Sequence, residues 1–541
     1  MKTRKLALFA AAAALCAAAL QGCDGSGSDS GGSILVHVRS AVFINGARGH
    51  LPPDTTKLRA TLTVAGAATQ PPPQEIPRPA GADLVDFSFV DVTTGNFTID
   101  VLGLNAAGAI TAEGTISGAV SGGSTLNETL DLLGIVTFVY ATVDDLNGAA
   151  PAGSTVEAFT LDPATGVLTP VNVVALKNGA FSDAPPVFTE DGLFGYVVNP
   201  TDGLLHALSV DPATGAIAEL AASPSTVNSL PNRPTIVGSY LYQSHEDSTD
   251  LLVFHIEADG TLTPIQTVTL PDVGARRVVP NRSKDVVYVA LAGDVIVTLA
   301  IQLDGTLVQV GTPLDVPPTG TVGTGEMGTP VVHPTGNFVF VTSGGTVAEL
   351  RALAVAANGS LTLLNTAPLG EAPQSPAIAP SGNFIYVPNQ ASQSISAFSI
   401  GVTGNVTTIA DYPVPGDPLD TDPLLPAPNR IAFDALGKFL YVGKGDSASI
   451  AGYGIDAADG SLTHLVISPF QTAPFGPAAG PVPSLDPNGN FDVVANQDLM
   501  TDSLASFFVH PTTGALSQQG TALSTTLTGP HLAHLRPVRL P

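Results

Sequence analysis

Residues 376–404 read PAIAPSGNFIYVPNQASQSISAFSIGVTG. A Pro opens a short apolar run, a Ser-Gly turn follows, and Asn383 to Val387 then alternates Phe384 and Tyr386 on one face with Ile385 and Val387 on the other. A polar turn leads to a third run, Ile395 to Ile400, and Gly404 turns the chain again. Period-2 runs separated by Gly, Asn and Asp turns are the pattern of antiparallel strands.

The same second strand recurs as TFVYATV from Thr137, LFGYVVN from Leu193, SYLYQSH from Ser239, DVVYVAL from Asp285, NFVFVTS from Asn337, KFLYVGK from Lys438 and NFDVVAN from Asn490. The turn after the third strand recurs with it, as Asp-Pro-Ala-Thr-Gly ending at Gly166 and Gly215 and as shorter turns ending at Gly260, Gly305, Gly359, Gly404, Gly460 and Gly514. A Leu, Ile or Val lies two residues beyond each of these Gly. Gly suits the positive φ that such turns demand, and a four-stranded unit of about 45–55 residues is the period of a propeller blade. The count of copies predicts an all-β chain whose propeller has eight four-stranded blades, with seven as the alternative.

The first copy starts at its second strand, Thr137 to Tyr140, with no inner strand before it, and the last stretch, 529–537, reads as an inner strand with no blade after it. Pairing the two completes the first blade and removes two open edges, which would otherwise invite aggregation.

Four segments follow from the N-terminus onward. Lys2, Arg4 and Lys5 precede an Ala/Leu run from Leu6 to Leu20, and Leu20-Gln21-Gly22-Cys23 has the form of a bacterial lipobox, so 1–22 is expected to be a lipoprotein signal and Cys23 its acylated residue. A plain secretory signal is the other reading. Residues 23–33 form a Gly/Ser linker. Residues 34–133 carry about seven short alternating strands without the blade turn, the pattern of a small β-sandwich, similar to the immunoglobulin-like or prealbumin-like modules of bacterial surface proteins. Residues 134–541 are the propeller. Cys16 and Cys23 are the two cysteines, so a chain cleaved before Cys23 has none to pair internally and rests on core burial.

The formal net charge is −26, and three units more negative without Lys2, Arg4 and Lys5. Such a surface repels phosphate backbones and argues against nucleic acid as a partner. The expected location is the cell envelope of a bacterium, on a lipid anchor, with a small anionic ligand or an envelope protein or glycan as the partner. There is no Trp, which excludes Trp-Asp repeats, and no HExxH or CxxC, so no metal or cofactor is expected. Gly445-Asp446-Ser447-Ala448-Ser449 falls short of GxSxG. The acidic stretches 245–250 and Asp417, Asp420 and Asp422 read as solvated loop charge.

The positions just before each inner strand form a register at one mouth of the propeller. They hold Arg233, Arg276, Arg277, Glu326, Gln374, Arg430 and His531, with Asn232 and Asn429 beside two of the arginines. Four of the propeller's eight Arg fall there. Converging guanidinium groups with one carboxylate and one imidazole would hold a carboxylate or phosphate ligand. The other reading is that these arginines tie neighbouring blades together.

The segments SPAIAPSGNFIYVPNQASQSISAFSIGVTGNV and NRIAFDALGKFLYVGKGDSASIAGYGIDAADGSLT resemble the lactonase-type propellers, which include bacterial 6-phosphogluconolactonase and the fungal muconate-cycloisomerase propeller. The resemblance covers 135–541 in pattern and implies seven blades, with an Arg-His pair before an inner strand and an Asn-Glu after the second strand of the same blade. Here Arg276-Arg277 stands where Arg-His would, and the strand after it ends Val289-Ala290-Leu291-Ala292 with no Glu. The blade with His333-Pro334 has neither. Two functions follow: a non-catalytic binding lipoprotein that uses the propeller mouth, or a lactonase acting on a sugar acid or dicarboxylate lactone outside the cytoplasm.

Overall fold

The computed structural model describes residues 32–539 apart from breaks, the longest at 144–154, 178–185, 316–326, 416–427, 472–481 and 525–533. Nearly all regular structure in it is β-strand.

Residues 32–134 build a three-stranded and a five-stranded sheet, and Ala41–Ile44 and Ala47–His50 form a separate two-stranded pair. The strand Gly32–Arg39 lies in the middle of the first, antiparallel to Leu84–Val92 and parallel to Thr125–Asp131. Alternation sends Ile34, Val36 and Val38 to one side, where they meet Leu58, Ala60, Leu62 and Val64 of the second sheet together with Phe87, Phe97 and Ile99. The two sheets share that core.

From Thr137 onward the described residues form eight antiparallel sheets in chain order, each with its four main strands in a meander, hereafter blades 1 to 8. Blade 1 is the exception in connectivity. Its strands 137–143, 155–161 and 168–175 are joined by His534–Arg539, which pairs with the first of them from Thr137↔Arg539 to Thr142↔His534. The expected closure by the C-terminal strand is the observed one, although its start at 529 lies outside the described residues. Blades 2 to 8 occupy 187–226, 235–269, 279–315, 331–368, 377–413, 428–471 and 482–524.

What holds the sheets side by side is apolar packing between successive blades. There are eight such cores among the described residues, one for each neighbouring pair, and the last joins Val493 and Leu504 of blade 8 to Val139, Ala141 and Phe159 of blade 1. That contact shuts the ring.

A polar clasp repeats along the same interfaces. The second-strand Tyr of one blade donates its hydroxyl to the carbonyl of the turn Gly in the next: Tyr140 to Gly215 at 3.0 Å, Tyr196 to Gly260 at 2.8 Å, Tyr242 to Gly305 at 3.0 Å, Tyr288 to Gly359 at 3.2 Å, Tyr386 to Gly460 at 2.9 Å and Tyr441 to Gly514 at 2.8 Å. Burial withdraws water from these phenols and raises their pKa, to about 12 for Tyr288. The residue two before each Tyr packs against that Gly. A Cβ on Gly460 would sit 2.3 Å from the ring of Phe384, and one on Gly215 2.0 Å from Phe138. Positive φ and lack of space therefore both require Gly. The apolar residue two beyond the Gly is clasped as well: the Gln266 amide exchanges two hydrogen bonds with the backbone of Leu307, and Asn172 and Asn365 do the same with Ile217 and Val406.

Candidate functional site

The backbone fixes the mouth register. In blades 3 to 6 the amide nitrogens of Asn232, Arg276, Gly328 and Gln374 donate to the carbonyls of Ser244, Ala290, Thr342 and Pro388 at 2.8–2.9 Å, one equivalent bond per blade. These four positions are therefore structurally matched. In blade 5 the matched residue is Gly328, two residues beyond Glu326, which lies outside the described residues. A Cβ at Gly328 would meet Thr342 Oγ1 at 2.3 Å, so this position has no room for a side chain and presents bare backbone.

The four matched residues line one cavity of about 580 Å³, together with Met327, Thr329, Gly344, Ala372, Pro373, Ser375 and Gln390. Its walls are pinned by bonds that cross from blade to blade. Asn232 Nδ2 donates to Ala275 O at 2.7 Å, Ser244 Oγ to Arg276 O at 2.9 Å, Thr342 Oγ1 to Gln374 O at 3.2 Å, and Thr329 N to Ser375 Oγ at 3.3 Å. Gln374 Nε2 reaches Gln390 Oε1 at 3.4 Å. Three groups have no partner among the described residues: the acceptors Asn232 Oδ1 and Gln374 Oε1 and the donor Gln390 Nε2.

The predicted basic residues are distributed unequally around this cleft. Arg276 lines it; Arg233, Arg277 and Arg430 are not among its lining residues. Arg276 donates Nε to Met327 O and Nη1 to Glu246 Oε1, both at 2.9 Å, and so joins blades 3, 4 and 5. Arg277 Nε donates to Thr235 Oγ1 at 3.3 Å and Arg233 Nη2 to Pro186 O at 3.4 Å, each toward the preceding blade. Arg430 is exposed on Pro428–Phe433. His531 and Cys23 lie outside the described residues.

Sequence reasoning missed Gln390, which follows Asn389 at the end of the second strand of blade 6. A signal was present: Asn389-Gln390 stands where the lactonase-type pattern has Asn-Glu, with an amide in place of the acid. The inner end of this strand is buried, with Asn389 bonded to Ser394 and Ser396 at 3.1 and 2.8 Å.

At the opposite end of the propeller the turns between first and second strands link blade to blade. Lys284 of blade 4 pairs with Glu190 of blade 2, Arg282 donates to Pro334 O of blade 5, and His333 Nε2 donates to Gly382 O of blade 6 at 2.8 Å. Among the described residues no group of three or more His, Cys, Asp or Glu is placed to hold a metal ion, and no helix is long and apolar enough to cross a membrane.

A closed ring of antiparallel four-stranded sheets with a polar cleft at one mouth defines a β-propeller. Residues 257–421 match the family described as lactonase, 7-bladed beta-propeller. That is under a third of the chain, but it spans blades 4 to 6 and every lining residue of the cleft except Asn232. Among solved structures, dihydro-heme d1 dehydrogenase NirN in complex with DHE is similar at 12% identity, over 73% of this chain and 74% of that one, with a TM-score of 0.52. The periplasmic gluconolactonase PpgL of Pseudomonas aeruginosa is 17% identical over 75% of this chain and 100% of its own, at 0.49. A putative 6-phosphogluconolactonase of Bacteroides uniformis is 18% identical over 75% and 99%, at 0.48. At these identities the likeness is one of fold. No curated protein matches the chain.

Proposed function

We propose that the cleft between blades 3 and 6 binds the uncharged ring of a sugar-acid lactone. The observation that carries this reading is the lining itself, three carboxamides and two hydroxyls around open backbone, with acceptors Asn232 Oδ1 and Gln374 Oε1 and donor Gln390 Nε2 left to a ligand. A hydroxylated ring offers donors and acceptors in similar number, and unmet polar groups at a binding site discriminate strongly for a partner that satisfies them. The described lining has one charged side chain, Arg276, and it is paired.

Hydrolysis is the second reading, and the family match over 257–421 favours it. Opening a lactone requires a base to take a proton from water. The described lining holds no carboxylate or imidazole, and the carboxylate nearest to it in the bonding network is Glu246, bound to Arg276. Binding is for this reason the primary activity proposed, and turnover the additional one.

Calorimetric titration of the purified protein with a panel of aldonolactones, with acid release followed in parallel, tests both. Exchanging Gln374 and Gln390 together for Ala removes two hydrogen bonds and should weaken ring binding about tenfold, at roughly 1 kcal/mol or less per bond. Absence of heat with every lactone would refute the binding reading. Acid release at the uncatalysed rate would refute turnover alone.

The propeller is proposed to act outside the cytoplasm, tethered through an acylated Cys23. The support is the spacing Leu20-Gln21-Gly22-Cys23 after a short apolar run with three basic residues before it. Membrane fractionation of Cys23→Ser tests this: the protein should leave the membrane fraction, and retention there would overturn the tether.

A further inference from the structure

Arg276 is the one cation in the described lining of the cleft, and its Nη1 is held by Glu246 at 2.9 Å while its Nε is held by Met327 O. Glu246 itself is outside the lining; it sits three residues past the second strand of blade 3, which ends at Gln243, and carries its carboxylate to the next blade's mouth residue. The pair is partly exposed, with 25% of the Arg276 side chain and 45% of the Glu246 side chain open to solvent.

A lactone and the acid it opens to differ by one full negative charge at neutral pH, because ring opening releases a carboxylate. An unpaired guanidinium at the wall would attract the acid over the ring, since a carboxylate accepts charge-assisted bonds from Arg that a neutral ring cannot match. A guanidinium already facing a carboxylate gives no such advantage, and the added negative charge of the acid meets Glu246. We infer that Glu246 is a specificity-determining residue: by neutralising Arg276 it makes the cleft favour the closed, neutral ring and disfavour the opened acid. This rests on the reading that the cleft takes a sugar lactone, and it adds to that reading which of two chemically linked species is retained.

The experiment compares two probes on the full-length protein. Gluconolactam is the neutral ring that does not open, and sodium gluconate is the acid. The readout is the ratio of their dissociation constants in wild type, Glu246→Gln and Glu246→Gln/Arg276→Gln, at low and at high salt. In Glu246→Gln the ratio should shift about three- to fivefold toward gluconate, the scale expected of a partly exposed pair. The shift should shrink at high salt and vanish in the double variant. An unchanged ratio in Glu246→Gln, with ring binding intact, overturns the role of Glu246 and leaves the cleft reading standing. Failure of both probes to bind wild type overturns the cleft reading itself. Matching thermal melts of the three proteins exclude misfolding as the source of any shift.

Discussion

Replacing Gly460 with Ala tests whether the inter-blade clasp is a steric fit. Gly460 has φ +75° and presents its carbonyl to Tyr386 across the blade interface. The new methyl would lie 2.3 Å from the Phe384 ring, whose residue is only 6% exposed and packs among Tyr386, Ile395 and Leu440. Two costs follow. An L side chain at left-handed φ costs about 1–2 kcal/mol, and forcing a methyl into a filled interface costs about 1–3 kcal/mol more. The sum is about 2–5 kcal/mol. Gly311, at φ +68°, has nothing within 4 Å of its notional Cβ, so Gly311→Ala carries the first cost alone. The assay is urea unfolding of both variants against wild type. Gly460→Ala should exceed Gly311→Ala by about 1–3 kcal/mol. Shrinking the ring with Phe384→Leu should return part of that excess, so the two changes together cost less than their sum. Equal costs for the two glycines would refute the steric argument and leave only the φ requirement.

Three other outcomes follow from the same structure. Tyr441→Phe removes the buried 2.8 Å bond to Gly514 and strands that carbonyl, so it should lower stability by about 1–3 kcal/mol in denaturant titration; no change would show the bond to be idle. Deleting 530–541 removes the strand that pairs with Thr137–Val143 and should bring aggregation, read by light scattering, where a soluble and equally stable truncation would refute the closure's importance. His245 is fully buried, bonds Asp250 O through Nδ1, and has no partner at Nε2 among the described residues, and burial lowers its pKa. The unfolded chain therefore takes up this proton first as pH falls below about 6.5, so stability should decline from there downward, and His245→Gln should flatten that decline in unfolding midpoints measured from pH 7 to pH 5.

The fold was legible because each blade repeats the same physical requirement. Phe384, Tyr386 and Gly460 are separated in sequence but form one contact, and six other turn glycines repeat it against Phe138, Phe194, Tyr240, Val286, Phe338 and Phe439. A pattern that recurs this often can be counted, and the count of eight agrees with eight sheets and eight cores among the described residues. The closing strand was legible from what the first and last copies lacked. Arg276 and Gln374 were visible as register positions, and both line the cleft. Gln390 went unread although Asn389-Gln390 carried a signal, because an amide one residue beyond a buried strand resembles any polar turn until Gln374 of the same blade is seen to meet it. Nor could the sequence tell which arginine faces the cleft. Arg276 and Arg277 are adjacent, and the alternation of an extended chain sends one toward Met327 and Glu246 and the other toward Thr235.

Stability and the recognition proposed for the cleft fall on different parts of each blade. Tyr386, Gly460 and the interface apolars lie along the blade flanks, where any loss of fit propagates to a neighbour. The cleft residues instead come just before the first strand or just after the second, and of them Met327 also reaches into an inter-blade core. Gly328, with Thr342 Oγ1 too near for any side chain, is the position where the two demands meet. Elsewhere the mouth carries Asn232, Arg276 and Gln374 at the same backbone bond, so the register itself accepts different side chains. On the proposed reading, the Glu246–Arg276 pair is where a substitution has the largest electrostatic leverage on the charge of the ligand, because Arg276 is the only charged side chain in the described lining.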